Sequence, residues 1–500
     1  MNVAYIKPPA LSFFCDAKVQ LEQIITQLES IHYASCEHGE IEQFIKKEGD
    51  EVLRCLFQGY LAQKADDELR QPLVTSAAGE ILNHVKEKTT RKLTTLFGDV
   101  TVTRIRYNQR HQASQFPLDA ELNLADDQYS DGVRHRVARE ALRGSYDDVV
   151  ETIKETTGCQ VAKRQCLNLA QDVAQDFENY YQQNQYWKPE NTNDLLVITG
   201  DGKGIVMLPD SLRECTKKAA LKSKKLNSRL SQGEKKDRKR MAQVMSVYTV
   251  LPHVRTPESI MKVHDDENDN VRQFRAPALN KRVWASVERD AGTVIEEAFE
   301  EALRRDPEQK RRWVVLVDGL PSQLKLIDKI SKRLGGKVTV VMDFIHVLEY
   351  FWKAAWCFYD KGDSAVEKWV AERAVKILHG EGNQVAKGIR ISATKQDLTK
   401  RENVDKCASY LLKNKSRLKY GEALAAGFPI ASGVIEGAWR HLINDRLDIT
   451  GARWGLQGAE SILKLRSLKS SGDFEGYWAF HKQQSKLRLH SDFQFGDVSE

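Results

Sequence analysis

Three acids stand out by the company they keep. Asp201 lies in TGDGKG, Asp318 in VVLVDGLP and Glu436 in SGVIEGAWRH. Both aspartates come at the end of apolar, β-branched runs and precede a glycine, which leaves room for a backbone, an ion or a phosphate to approach. Carboxylates are hard oxygen ligands suited to Mg2+ or Mn2+. Two such ions about 3.5–4 Å apart can activate an attacking oxygen and stabilise a leaving one in an in-line displacement at phosphorus. One Asp-Gly at a strand end is an ordinary turn-former. Two on one sheet, followed by a helical glutamate, are expected to form a metal-dependent phosphodiester site.

The elements that must position these acids follow from apolar periodicity. DLLVIT (194–199) reads as a buried strand, with GIVMLP after a tight turn as a second and QVMSVYTV (243–250) as a third. Helical sequence occupies roughly 286–305. RRWVVLVDG (311–319) is a fourth strand, PSQLKLIDKISKRLGG a helix with a glycine stop, and KVTVVMD (337–343) a fifth strand. The order β-β-β-α-β-α-β predicts a mixed α/β sheet flanked by helices, and sites on such sheets gather at strand ends. Asp318 lies 117 residues after Asp201, and Glu436 118 after Asp318. The second gap is too long for one crossover, and residues 345–426 read as almost wholly helical, so a helical insertion is expected there. Its aromatic cluster (Tyr350, Phe351, Trp352, Trp356, Phe358, Tyr359) follows a helix face and reads as core.

Ahead of this region, residues 16–88 read as helical, with an apolar stripe from Ile41 to Leu61 assigned to core packing or dimerisation. TTLFGDVTVTRIRY (94–107) reads as a hairpin turning at Gly98-Asp99. Three helices are expected over 130–182: one capped by Ser130, a second capped by Ser145 and ended by Thr157-Gly158, and a third from near Gln160. Two short helices joined by a glycine turn fit a helix-turn-helix that offers Lys163, Arg164, Gln165 and Asn168 to DNA. An ordinary three-helix packing unit fits the same pattern.

The net charge is +6, but Lys217–Arg240 holds eleven basic residues and two acids, so this stretch is +9 and the remainder −3. A local basic patch, here including Lys235, Lys236, Arg238, Lys239 and Arg240, suits a phosphate backbone. Hydrophobic residues make up 41% and charged residues 29%, which predicts a packed chain rather than a disordered one. No apolar run approaches the ~20 residues of a membrane helix, and the N-terminus reads as neither signal nor transit peptide. The eight cysteines form no CxxC pair and are expected to be reduced and buried. Cys36 and His38 lack a second ligand pair, so zinc is not expected there.

The segments TGDGKG, VVLVDGLPSQL, VTVVMDFIHVLEYFW and ASGVIEGAWRHLINDRLDITGARW resemble a bacterial insertion-sequence DDE transposase of the ISKra type, a group related to the Mutator-like transposases. TLFGDVTVTRIRY, FPLDAELNL, ALRGSYDDV and EGYWAFH extend the likeness over most of the chain. The resemblance implies a ribonuclease H-like core with a long helical insertion. It makes Asp201, Asp318 and Glu436 the first, second and third catalytic acids, expected to hold two Mg2+ or Mn2+ ions. Asp343 and His346 match an Asp-x-x-His element in a supporting role. Arg440, Arg446 and Arg453, in the same motif as Glu436, are expected to meet DNA. Asp343 ends a strand and competes for the third-acid role, but its apolar neighbours favour Glu436.

The expected domains are 1–128 (helices and hairpin), 129–186 (helix-turn-helix), 190–345 with 428–470 (catalytic core), 346–427 (helical insertion) and 471–500 (tail). The expected partners are double-stranded DNA, as terminal inverted repeats and target, and further copies of the chain as a dimer or higher oligomer. No membrane is expected, and the resemblance implies a bacterial cytoplasmic protein at the nucleoid. The expected activity is cleavage at element ends and joining of a 3′-OH to target DNA. Two alternatives are a hydrolysing nuclease on the same core and an inert or domesticated DNA-binding protein.

Overall fold

The computed structural model describes residues 13–30, 35–76, 79–183, 189–222, 238–261, 276–360, 362–431, 433–449 and 451–490, without the side chains of 434–436. The chain divides into two units: residues 1–180 with 475–500, and residues 181–474.

The first unit opens with helices α1 (Cys15–Leu28) and α2 (His38–Asp67). Strands β1 (His84–Thr95) and β2 (Gly98–Asn108) form an antiparallel hairpin. Leu61 of α2 buries against Leu93, Val100 and Val102 of the hairpin. Two expectations are corrected here. Helix gives way to strand by His84, because KEKTTRKLTT carries threonines that favour a pleated surface and no 3.6-residue apolar stripe. The turn falls at Leu96-Phe97, since Thr95 pairs with Gly98. Gly98 opens β2 at φ +113, a conformation that glycine tolerates.

Helices α3 (Asp131–Ala141), α4 (Tyr146–Thr157) and α5 (Lys163–Val173) follow as expected. Ser130 caps α3 through Val133 N. Ser145 and Asp148 form a reciprocal capping box at α4, whose end is closed by Gly158 at φ 68. Each cap satisfies backbone groups that the helix cannot.

The second unit is built on a five-stranded sheet in which β3 (Leu195–Val206), β4 (Lys239–Val250) and β5 (Leu279–Ser286) are antiparallel neighbours. A short helix, α6 (Glu214–Lys222), lies between β3 and β4 in the chain. Helix α7 (Ala291–Arg305) leads to β6 (Trp313–Val317), and α8 (Pro321–Arg333) to β7 (Val338–Met342). The spatial order is β5-β4-β3-β6-β7, with β3, β6 and β7 mutually parallel. The strands and the two longer helices come in the expected order, but from different segments, and short helices, α6 and Pro257–Met261, separate the first three strands in the chain. TGDGKG is not a turn: β3 runs through it and pairs with β4 along its whole length, Asp201 opposite Val244. The third strand is LNKRVWAS, which begins on polar residues and gave no apolar signal.

Five helices then fill the insertion: α9 (Phe344–Ala355), α10 (Ala365–Leu378), α11 (Gly382–Lys395), α12 (Glu402–Lys413) and α13 (Tyr420–Ala425). Phe351, Trp369, Leu378, Cys407 and Tyr420 share one core with Val197, Val314 and Leu316 of the sheet. Of the aromatic cluster, Phe351 is buried in this core, Tyr350, Trp352, Phe358 and Tyr359 pack against it partly buried, and Trp356 is 42% exposed. Helix α14 (Gly433–Trp439) runs into a π-helical segment, Arg440–Asn444, and α15 (Leu456–Ser471) packs on β5. Residues 474–490, placed in the expected tail, form α16. In the first unit, His481 of α16 lies 2.7 Å from Asp176 and Tyr477 donates to the Val173 carbonyl.

All eight cysteines are free, four of them buried, with Cys15 and Cys215 exposed. Among the described residues no helix is long and apolar enough to cross a membrane.

Candidate active site

Parallel register brings the acids together. Gly200 lies level with Val317, and Val317 with Met342. The next residue in each case is an aspartate, so Asp201, midway along β3, stands level with Asp318 and Asp343, which directly follow the last residues of β6 and β7. Glycine leaves room beside two of them for methionine side-chain ends, and at Gly319 the positive φ also favours it. A Cβ on Gly200 would come within 2.4 Å of Met245 Sδ, and one on Gly319, at φ +88, within 1.9 Å of Met342 Cε. Gln323 on α8 donates to the Gly200 carbonyl (3.2 Å), and Tyr410 on α12 donates to the Asp318 carbonyl (3.1 Å). The insertion thus fixes the backbone that presents Asp318.

The side chains differ in exposure and partners. Gly202 N donates to Asp201 Oδ1 at 2.6 Å. The Asp318 carboxylate is one-third exposed, and His346 Nδ1 lies 4.0 Å from it and 3.9 Å from Glu349. Asp343 is 2% exposed and accepts from Ile345 N at 2.8 Å, capping α9. That cap uses Oδ1 of the carboxylate that competed for the third-acid role. Burial pushes the Asp318 carboxyl up to about 6; His346 pulls it down, while Asp201, Asp343 and Glu349 push it up. Burial likewise raises Asp201, opposed by the Gly202 N–H, His346 and Lys203 and reinforced by Asp343.

Glu436 lies on α14, which packs against β3 and β4. Trp439 of that helix sits under Lys203, whose Nζ is 4.5 Å from the ring centroid. Lys203 is two residues beyond Asp201 and so on the same face of the strand. The helix is therefore seated on the face to which Asp201 belongs; the Glu436 carboxylate lies outside the described set. Among the described residues, no three His, Cys, Asp or Glu side chains form a metal-ready cluster. Asp201 and Asp318 supply hard oxygen donors at neighbouring positions, both raised first by burial and further by neighbouring carboxylates, and donors of this kind suit a divalent cation.

The expected DNA contacts separate into groups. Lys163, Arg164, Gln165 and Asn168 are all exposed on the first turns of α5, with Lys163 2.5 Å from Asp147. Lys235 and Lys236 lie outside the described residues. Arg238 gives its carbonyl to Met207 N, and Lys239 lies 4.0 Å from Asp448. Arg240 donates to the carbonyls of Val287, Ser211 and Glu288 and so ties loops together. Arg440 and Arg453 are exposed. Arg446 is corrected: it is 3% exposed, its guanidinium 4.7 Å above the Trp454 ring, so it is a core residue and not a surface contact.

Sequence reasoning missed Gln323, Tyr410, Lys203, Trp439 and Glu349. Only Glu349 carried a signal, three residues beyond His346 on a helix, where side chains become neighbours. No curated protein matches this chain. Residues 39–202 match the model of the uncharacterised protein family UPF0236, from α2 through the hairpin and three helices to one residue past Asp201, so over that span the chain is similar to a family whose description names no activity.

Proposed function

We propose that this protein is a DDE transposase that binds terminal inverted repeats and catalyses metal-dependent DNA cleavage and strand transfer on a ribonuclease H-like core. The observation that carries the proposal is the level placement of Asp201, within β3, and Asp318, just past the end of the adjacent parallel strand β6, with the Glu436 helix seated on the face that carries Asp201. The sheet order supports it: three antiparallel strands followed by two parallel ones, with the helical insertion before the glutamate, is the arrangement the resemblance implies. Asp201, Asp318 and Glu436 would hold Mg2+ or Mn2+, and such ions supply charge to the attacking and leaving oxygens of a phosphodiester. Gly202 N and the Tyr410 and Gln323 hydrogen bonds fix the acids before substrate arrives. Asp343 anchors α9, and His346, 4.0 Å from Asp318, is within reach of it through one water. The exposed start of α5 is the proposed reader of the repeat, through the major groove. Arg440 and Arg453 are the proposed phosphate contacts near the site.

The test uses the full chain, Mg2+ and duplexes taken from the DNA flanking its own coding sequence. The expected products are cut ends and joined strands. Asp201→Asn and Glu436→Gln should abolish both while binding DNA normally. Arg164→Ala with Gln165→Ala should instead erase preference for the repeat, at about 1–3 kcal/mol per lost base contact. Cut ends without joined strands would assign a hydrolysing nuclease. Normal cleavage by Asp201→Asn would remove the acids from the chemistry.

A further inference from the structure

The helix that bears Glu436 changes winding one turn later. Arg440–Asn444 is π-helical, directly after Trp439. The buried positions explain why. Ala438, Leu442 and Arg446 are buried, as are Ile443 and Leu447, so the inward face repeats every four residues. An α-helix turns about 100° per residue, so a four-residue repeat drifts by about 40° each time. A π-turn holds an extra residue and absorbs that drift. With it, Trp439 meets Lys203 on the sheet while Leu442, Ile443 and Leu447 still face the core.

A π-turn displaces backbone carbonyls from their α-helical partners, and one such group is claimed from outside the helix. Arg466, on α15, is 9% exposed and donates through both Nε, at 2.6 Å, and Nη2 to the carbonyl of His441. The His441 ring points the other way, exposed and 3.2 Å from Asp445. A buried guanidinium spending two donors on one main-chain oxygen is costly unless that oxygen must be held.

We infer that Arg466 is a positioning residue for Glu436: by holding the His441 carbonyl it fixes the π-turn, and with it the register of α14 on the face that carries Asp201. The inference rests on the proposed three-acid site. Its distinctive content is that a residue outside that site, on a different helix, sets metal affinity.

The experiment compares the full-length parent with Arg466→Lys, which keeps charge but loses the two-pronged fork, and with Arg466→Gln. Three quantities are read: amide hydrogen exchange across 433–447, Mn2+ affinity by calorimetry without DNA, and single-turnover cleavage of the flanking duplex. Both variants should melt cooperatively and bind the duplex like the parent. Exchange across 433–441 should quicken at least about tenfold while β3 and β6 stay protected. Mn2+ affinity should weaken by about 10–100-fold, the usual cost of losing a group that orients a ligand. In a Glu436→Gln background, Arg466→Lys should cause no further loss of affinity. A folded Arg466→Lys variant with the parent's exchange and Mn2+ affinity overturns the inference alone. Loss of the cooperative melt in both variants also overturns it, making Arg466 an ordinary core residue. A parent that binds no Mn2+ and does not cleave overturns the three-acid site and this inference with it.

Discussion

The two ends of the central sheet use the same residue types to opposite effect. At the end where β3 and β6 begin, Glu190 takes Arg311 at 2.7 Å and Asn280 at 3.1 Å, and Arg305 lies 3.6 Å away. Beside it, Glu301 is fully buried among Arg282, Arg304 and Arg305. Burial by itself would push the Glu301 carboxyl up, but Arg282 and Arg305 outweigh it and hold the group down at about 2. On the far side, Asp201, Asp318 and Asp343 lie together with His346 and Lys203 as the neighbouring bases, and burial, reinforced by the other acids, pushes Asp318 up to about 6. One end is a closed ionic lock whose charges are matched within the protein. The other holds carboxyls raised first by burial and then by one another, and only partly offset by His346 and Lys203.

The comparison breaks most decisively at Asp318. Asp318→Asn should lower Mg2+-supported cleavage by more than about 100-fold, beyond the loss typical of an outer-shell partner. The same change relieves crowding, so its melting temperature should be unchanged or higher. A variant that cleaves normally, or one that unfolds, would show that Asp318 is a structural acid like Glu301. Glu301→Gln should do the reverse. It strands buried guanidiniums and should cost about 3–5 kcal/mol of stability, measured by urea unfolding of the full chain. A loss below about 1 kcal/mol would mean the lock is not closed.

Acid sharpens the contrast. The folded Glu301 carboxyl lies below its ordinary 4.5. Its contribution is therefore complete above about 4.5 and is lost as pH falls toward about 2. Urea midpoints followed across that window should fall for the parent and be flatter for Glu301→Gln; parallel curves would assign the acid sensitivity elsewhere. The smallest effect concerns the seat of the Glu436 helix. Lys203→Met removes the cation above Trp439 and should cost about 0.5–1 kcal/mol, with slower cleavage if the helix shifts. Thermal melts and single-turnover rates on the same samples would check both parts.

Much of this architecture was legible because it is local. Ser130, Ser145 and Gly158 act on backbone groups within four residues, so their helix boundaries follow from chain order. Apolar β-branched runs specified β4, β6 and β7, and the Asp-Gly pairs marked two acids, one inside β3 and one just past β6. TGDGKG misled because three glycines ordinarily signal a turn, whereas here they let β3 pass beneath Met245 and Lys239 while staying paired with β4. LNKRVWAS was invisible because its polar first half gains its place only by pairing with β4 and by burying Arg282 against Glu301.

The sequence by itself determined which residues could do chemistry and the order of elements that carries them, because residue type and periodicity are properties of the chain. Tertiary structure decided the rest. Parallel register, set by hydrogen bonds between segments more than a hundred residues apart in the case of β3 and β6, made Asp201 and Asp318 neighbours. Packing turned Arg446 inward and left Arg164 outward, since a guanidinium is buried where a ring, a carbonyl or a carboxylate is ready to receive it, and Trp454 receives Arg446. The hold of Arg466 on His441 belongs to the same class: two residues 25 apart meet only because α15 folds back along the turn that it fixes.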